Sequence, residues 1–351
     1  MEEDKDLSSY FDLYGLPDEI IGIVFQKCNF LDISSIIKTC KRFKFIINKN
    51  RNSLSKASLK HFQIEHRLIF NNNVVKDDYK VVIHYVAEIG TENKRNFSKT
   101  FSKINCKESE IALFINSFTW EDVENVHVIL MKKSNVLNLL TSRLINFKNH
   151  NIKTLYLHVE GFDMRNSINN FILSLRSVKD LFINKLCLCN EKGGFQGEIN
   201  ISNLKRIEIL ECCCTKFINE QFALPLYHQN KGGFNMVLRV NESDFKTKLI
   251  NAAVDQYVKM DGKDYKKDLI AITDLNPMIF YHIDAIMSKN GLRYEPNFEE
   301  QSTSCTFVHL FIAKNNNDFW NIIENPKKPY LIVSIVAIYR TRISQCSIWN
   351  R

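Results

Sequence analysis

Several things are missing from this 351-residue chain. No apolar run approaches the length of a membrane span; the longest, Leu331 to Val333 and Ile335 to Tyr339, are a few residues each. No membrane association is expected. There is no Gly-x-Gly-x-x-Gly, Gly-x-x-x-x-Gly-Lys-[Ser/Thr] or Gly-x-Ser-x-Gly, so neither a phosphate cradle nor a nucleophile elbow has a candidate. No His-Glu-x-x-His occurs, and the nine histidines are scattered. Cys106 or Cys305 beside a strand histidine such as His84 or His309 would be the raw material of a thiol nucleophile, yet nothing local pairs them. The expectation is a protein without catalytic residues and without a cofactor. The acidic N-terminus has no apolar stretch behind it, so no secretory leader is expected and the location is read as cytoplasmic or nuclear.

Ten cysteines are present, and in that setting they are expected to be reduced. Cys187 and Cys189 are separated by one residue, and Cys212, Cys213 and Cys214 are contiguous. Zinc sites usually draw on Cys-x2-4-Cys pairs, and neighbouring residues of a strand point to opposite faces. These thiols are therefore read as small buried apolar groups, with no metal expected.

The composition is that of an ordinary globular protein, 45% hydrophobic and 25% charged. The net charge of +8 is uneven: residues 1–50 hold seven Lys/Arg and eight Asp/Glu, the remainder 40 and 31. The basic excess is spread among Lys-Asn runs. A solvated surface is expected and nucleic acid is not, although a basic repeat protein binding nucleic acid stays as an alternative.

From Leu16 to about Asn48 the pattern is helical. Pro17, Asp18 and Glu19 suit a first turn, and Ile20, Ile21, Val24 and Phe25 follow at one-turn spacing. Asp32 is placed to cap a second helix carrying Ile33, Ile36, Ile37 and Cys40, and Phe43, Ile46 and Ile47 continue the stripe into a third. Such a core is marginal alone and better stabilised by a partner.

In order, these blocks read Leu16-Pro17-Asp18-Glu19-Ile20-Ile21, Leu31-Asp32-Ile33 to Ile36-Ile37, and Thr39-Cys40-Lys41-Arg42-Phe43. The segment resembles the F-box. The resemblance implies an F-box over 12–51 that binds a Skp-type adaptor, through it a cullin, and so a ubiquitin ligase. It places Leu16, Pro17, Ile20, Ile21, Val24, Ile33, Ile36 and Phe43 in the helices that make or support the adaptor contact. An F-box scaffold acting outside a ligase is the alternative.

Residues 52–75 read as a charged linker helix ending at the Asn71-Asn72-Asn73 turn. Beyond it strand-like and helical stretches alternate, an α/β pattern. One template recurs: Val123-x-x-Val126-x-Val128, Ile152-x-x-Leu155-x-Leu157, Val178-x-x-Leu181-x-Ile183 and Leu204-x-x-Ile207-x-Ile209. The last three copies start 26 residues apart. Period and template resemble a leucine-rich repeat, although the family's Asn or Cys at the ninth position occurs once, as Cys212. The expected fold is α/β: a three-helix F-box followed by an irregular leucine-rich-repeat-like solenoid over 76–245, with degenerate repeats and a C-terminal cap over 246–351. Four unrelated buried strands of an ordinary α/β domain would satisfy the same pattern.

In a strand, alternate residues face opposite ways. If the template residues point inward, His127, Tyr156, Phe182 and Glu208 form a column on the other face, flanked on one side by Ile129, His158, Asn184 and Leu210. Aromatic rings among polar groups suit a protein-binding surface, and these four are the candidate substrate-binding residues unless other units cover them. A substrate receptor with an unknown protein target is the expected function.

Overall fold

A computed structural model describes residues 13–28, 30–50, 53–54, 56–71, 74–89, 95–146, 151–189, 191–230, 233–241, 244–259, 268–274, 278–302, 305–313 and 331–338. Three short helices come first: α1 (Asp18–Lys27), α2 (Phe30–Ile36) and α3 (Lys41–Lys49). They enclose a small core of their own built from Ile21, Phe25, Ile33, Phe43, Ile46, Ile47 and Leu54. Pro17 occupies the position just ahead of the first helical residue, with φ −57° and ψ 149°, and its carbonyl accepts from the Ile21 N–H. Asp32 falls inside the first turn of α2, so it does not cap that helix. At α3 the cap is Cys40, whose sulfur accepts the Phe43 N–H at 3.3 Å. Arg42 ties the ends of this unit together by donating to Asp18 Oδ1 at 2.8 Å and to the carbonyls of Leu16 and Tyr14.

The remainder is one large open sheet with helices. Strands β1 (Ala57–Asn71), β2 (Val74–Ile89) and β3 (Arg95–Cys106) form an antiparallel meander. The helix expected over 52–75 is thus a strand. Buried Leu59, Phe62, Ile64 and His66 alternate with half-exposed Lys60, Gln63 and Glu65, a period of two that a bulge between Leu59 and His61 interrupts. The charges that suggested a helical face lie instead on the less covered side of the sheet. Asn71 pairs with Val74, so the asparagine-rich stretch is the hairpin connection; residues 72 and 73 lie outside the described residues.

Next come α4 (Glu108–Asn116), β4 (Phe118–Thr119), β5 (Asn125–Leu130), α5 (Val136–Asn146), β6 (Ile152–Glu160), α6 (Arg165–Ser174), β7 (Val178–Cys187) and β8 (Arg206–Glu211). The chain continues through α7 (Glu220–Asn230), β9 (Asn235–Arg239), α8 (Asp244–Lys259), β10 (Asp268–Asp274), α9 (Met278–Lys289), β11 (Arg293–Ser302), β12 (Cys305–Ala313) and β13 (Leu331–Ile338). The sheet order is β11-β12-β13-β10-β9-β8-β7-β6-β5-β1-β2-β3, with β4 beside β1. From β13 through β10 to β5 and β1 every pairing is parallel; the two ends are antiparallel. The sheet does not close on itself.

Each strand from β6 to β10 lies beside its predecessor in the chain. Successive helices α4, α5 and α6, and likewise α7, α8 and α9, pack against one another. One sheet face is therefore dry: Val126, Val128, Leu155, Leu157, Leu181, Ile183, Ile207 and Ile209 are buried there. The intervening residues are half-exposed, as the alternation along β5 and β8 shows. Between β7 and β8 the described residues contain no helix and run as a loop. Among the described residues no helix is long and apolar enough to cross a membrane.

Two buried side chains secure the joints. Glu211, at the end of β8, accepts from the N–H groups of Phe217, Ile218 and Asn241 at 2.6–3.0 Å. Trp120 donates from Nε1 to the Ile115 carbonyl at 3.0 Å. A cleft of about 430 Å³ lies where the three-helix unit meets the meander, with Ile37 and Leu54 on one wall and Tyr85 and Phe101 on the other.

Candidate interaction surfaces

The first surface is the outer side of the three-helix unit. Helix α1 is apolar on two sides, which is why one sequence stripe cannot describe it. Ile21 and Phe25 are sealed inside, whereas Ile20 is 44% and Ile23 53% exposed. The residues singled out from sequence therefore divide. Ile21, Ile33 and Phe43 are interior, and no partner can touch them without opening the unit. Leu16, Val24 and Ile36 are half-buried, and Pro17 and Ile20 are exposed. Ile23, Tyr14 and Phe45 are exposed apolar residues that the sequence stripe did not single out. Tyr14 stacks on Phe43 with centroids 5.0 Å apart. The signal for Ile23 was available: Ile20, Ile21, Ile23, Val24 and Phe25 are too many apolar residues for one face of a ten-residue helix.

The second surface is the half-open face of the sheet. Strand register places His127 opposite Tyr156, Tyr156 opposite Phe182, and Phe182 opposite Glu208, so the four residues form one row. The row extends to Gln63 on β1 and to Val237 on β9. The rings of His127 and Tyr156 meet edge to face, and Arg206 lies over Phe182 with its guanidinium carbon 5.0 Å from the ring centre. Arg206 is also paired with Glu208 at 3.1 Å. Burial holds the His127 imidazole below its ordinary pKa, with His61 adding repulsion, and His127 Nε2 is a buried nitrogen with no hydrogen-bond partner among the described residues. The flanking row is shifted. A bulge in β7 sets Lys185, not Asn184, opposite His158, and both His158 and Lys185 contact the buried Glu160 carboxylate at 2.6 and 3.0 Å.

The raw materials for a thiol nucleophile are not assembled around Cys106. Its sulfur donates to the Lys103 carbonyl, burial raises its pKa, and His84 is engaged with Thr100. The side chains of Cys305 and His309 lie outside the described residues. Of the two other cysteine groups, Cys187, Cys189 and Cys212 are buried as expected, Cys213 is exposed, and the groups converge where the spacing argument expected them to diverge. Cys187, Cys189 and Cys212 form a buried cluster of their own with Cys214 packed against it. Residues two apart share a side, and β7 and β8 are neighbours, so the spacing argument against convergence does not hold.

Residues 13–54 match the family model of the F-box domain. The match spans all three helices and reaches Leu54, slightly beyond the 12–51 expected. No curated protein and no solved structure matches the chain.

Proposed function

We propose that this chain is the substrate-recognition subunit of a Skp–cullin–F-box type ubiquitin ligase, working in the cytoplasm or nucleus. The observation that carries the reading is the F-box match over 13–54, together with an α1 whose outer side leaves Pro17, Ile20 and Ile23 exposed. A small helical unit that exposes this much apolar surface gains stability by docking on a partner. The partner of an F-box is a Skp-type adaptor, and a cullin follows through it.

The sheet is the receptor half of this reading. Parallel strands succeeding one another at a 26-residue template fit an irregular leucine-rich-repeat-like solenoid whose helices cover one face. The other face carries the His127–Tyr156–Phe182–Glu208 row as the target-binding site. Two large rings, a charged pair at one end and an unsatisfied imidazole nitrogen at the other offer apolar anchoring with polar selection. Its work is proximity: a held target sits at high effective concentration beside the ubiquitin-loaded enzyme, with no bond chemistry in this chain.

The test is co-purification of the full chain with a Skp-type adaptor and cullin. A stable one-to-one adaptor complex, lost when Leu16 and Pro17 are both changed to Ala, supports the reading. Undiminished adaptor binding by that double variant overturns the assigned contact.

A further inference from the structure

We propose that Cys187, Cys189, Cys212 and Cys214 are the ligands of a structural zinc ion that clamps the β7–β8 connection. The sulfurs run in a chain: Cys189 to Cys187 is 3.4 Å, Cys187 to Cys214 is 3.6 Å, and Cys214 to Cys212 is 3.4 Å. Those of Cys187, Cys212 and Cys214 all lie within 4.8 Å of one another. A zinc ion holding four thiolates at about 2.3 Å would set them about 3.8 Å apart, so Cys187, Cys212 and Cys214 already lie near three corners of such a site, whereas Cys189 lies beside Cys187 and would swing its side chain inward to close it. Cys189 adjoins Cys187 and supplies the fourth sulfur. A disulfide would need about 2.05 Å, and the described cysteines form none.

The backbone explains how two Cys-x-Cys pairs reach one point. Cys187 is the last residue of β7; Leu188 turns into the core, and Cys189, at φ +37°, brings the chain back so that its sulfur joins that of Cys187. Cys212 directly follows β8, Cys213 points to solvent, and Cys214 returns. The Cys212 N–H donates to the Leu186 carbonyl at 2.8 Å, which fixes the two strand ends beside each other. Both turns are pinned from outside. Leu188 N–H donates to Thr215 Oγ1 at 2.8 Å, and the Asn241 side-chain amide donates to the carbonyls of Cys212 and Thr215.

The donor set decides the metal class and the role. Four sulfurs and no oxygen or nitrogen select a soft or borderline cation, and a closed four-thiolate sphere leaves no position for substrate. The location fits a structural part. This connection is a parallel crossover in which the described residues show no helix, and a metal would fasten what a packed helix fastens elsewhere. Cys187, Cys189 and Cys212 are buried and Cys214 is half-buried, which leaves one side for the ion to enter.

The experiment uses the full chain, purified under reducing conditions and supplied with zinc alone, then with cobalt(II) in its place. The expected result is one zinc per chain by elemental analysis. Cobalt should give the sulfur-to-metal charge-transfer and intense visible bands of a tetrahedral thiolate site. Cys213→Ser should keep both, whereas Cys187→Ser and Cys214→Ser should lose the zinc, and Cys189→Ser should shift the cobalt bands toward three sulfurs. The wild-type metal count and cobalt spectrum do not depend on any variant folding. A wild-type chain with no zinc, a cobalt spectrum without thiolate bands, an iron–sulfur chromophore, or disulfides among these four residues under reducing conditions would each overturn the proposal.

Discussion

His127 and Tyr156 stand on neighbouring parallel strands with ring centroids 4.2 Å apart and planes at 81°. Edge-to-face contact of this kind fixes both rings before any partner arrives, so little side-chain freedom remains to be lost on binding. Phe182 continues the row under the Arg206 guanidinium. Changing Tyr156 and Phe182 together to Ser should leave the fold and adaptor binding near normal, because neither ring belongs to the dry face. Capture of the native target should weaken by about 2–4 kcal/mol if both rings anchor it. Circular dichroism, adaptor pull-down and quantitative target capture read the three quantities. A double variant that fails to fold would make the rings structural; unchanged capture would move the target site elsewhere.

Adjacent residues of α1 should give opposite phenotypes. Ile20→Glu alters an exposed position and should abolish adaptor binding with the thermal midpoint unchanged. Ile21→Ala leaves a cavity in a small core and should cost about 2–5 kcal/mol, unfolding the three-helix unit first. Hydrogen exchange over residues 13–54, alongside pull-down, separates the two outcomes.

Acid should weaken the folded protein through the histidines of the half-open face. Burial lowers the pKa values of both His61 and His127, each repelled by a neighbouring imidazole, while Glu65 opposes the shift at His127. The unfolded chain therefore takes up these protons first. The contribution is fully present above about 6.5 and is lost as pH falls toward the lowered folded-state values, below which it is flat. Thermal midpoints at about pH 7.5 and 5.5 should differ less for His61→Asn/His127→Asn than for the wild type. An identical pH dependence would remove these two residues as its source.

Glu211→Ala should be among the most damaging single changes. The carboxylate accepts from three backbone N–H groups, and removing it strands the buried donors of Phe217 and Ile218. The expected loss is about 3 kcal/mol or more, measured by denaturant unfolding, with Glu211→Gln intermediate because its amide oxygen still accepts.

The parts of this fold that could be read from sequence are those in which one periodicity governs. Leu155, Leu157, Leu181 and Ile183 face a helix layer while their neighbours do not, so alternation announces the strands. The three N-terminal helices announced themselves by one-turn spacing, although α1 presents two apolar sides and only register against α3 tells Ile20 from Ile21. Strand β1 is hidden in the sequence because Lys60, His61, Gln63 and Glu65 supply polar side chains at a density that suits a helix, and its bulge breaks the alternation. The row from His127 to Glu208 followed from equal template positions. The flanking row did not, since the β7 bulge at Asn184 leaves no compositional mark. The meeting of the thiols depends, beyond the pairing of β7 with β8, on the turns that follow both strands, where Cys189 takes φ +37°, and those turns have no local signature.

The succession of strands from β5 to β10 has a consequence for biosynthesis. A chain leaving the ribosome presents each of these strands after the one it will pair with is already available, so the sheet can lengthen one crossover at a time from a short-range contact. The exception is the far end, where β13 must insert beside β10 after β11 and β12 have been made. Until that last strand arrives, β10 is an uncapped parallel edge rich in Ile and Leu, the most exposed moment for association with another nascent copy.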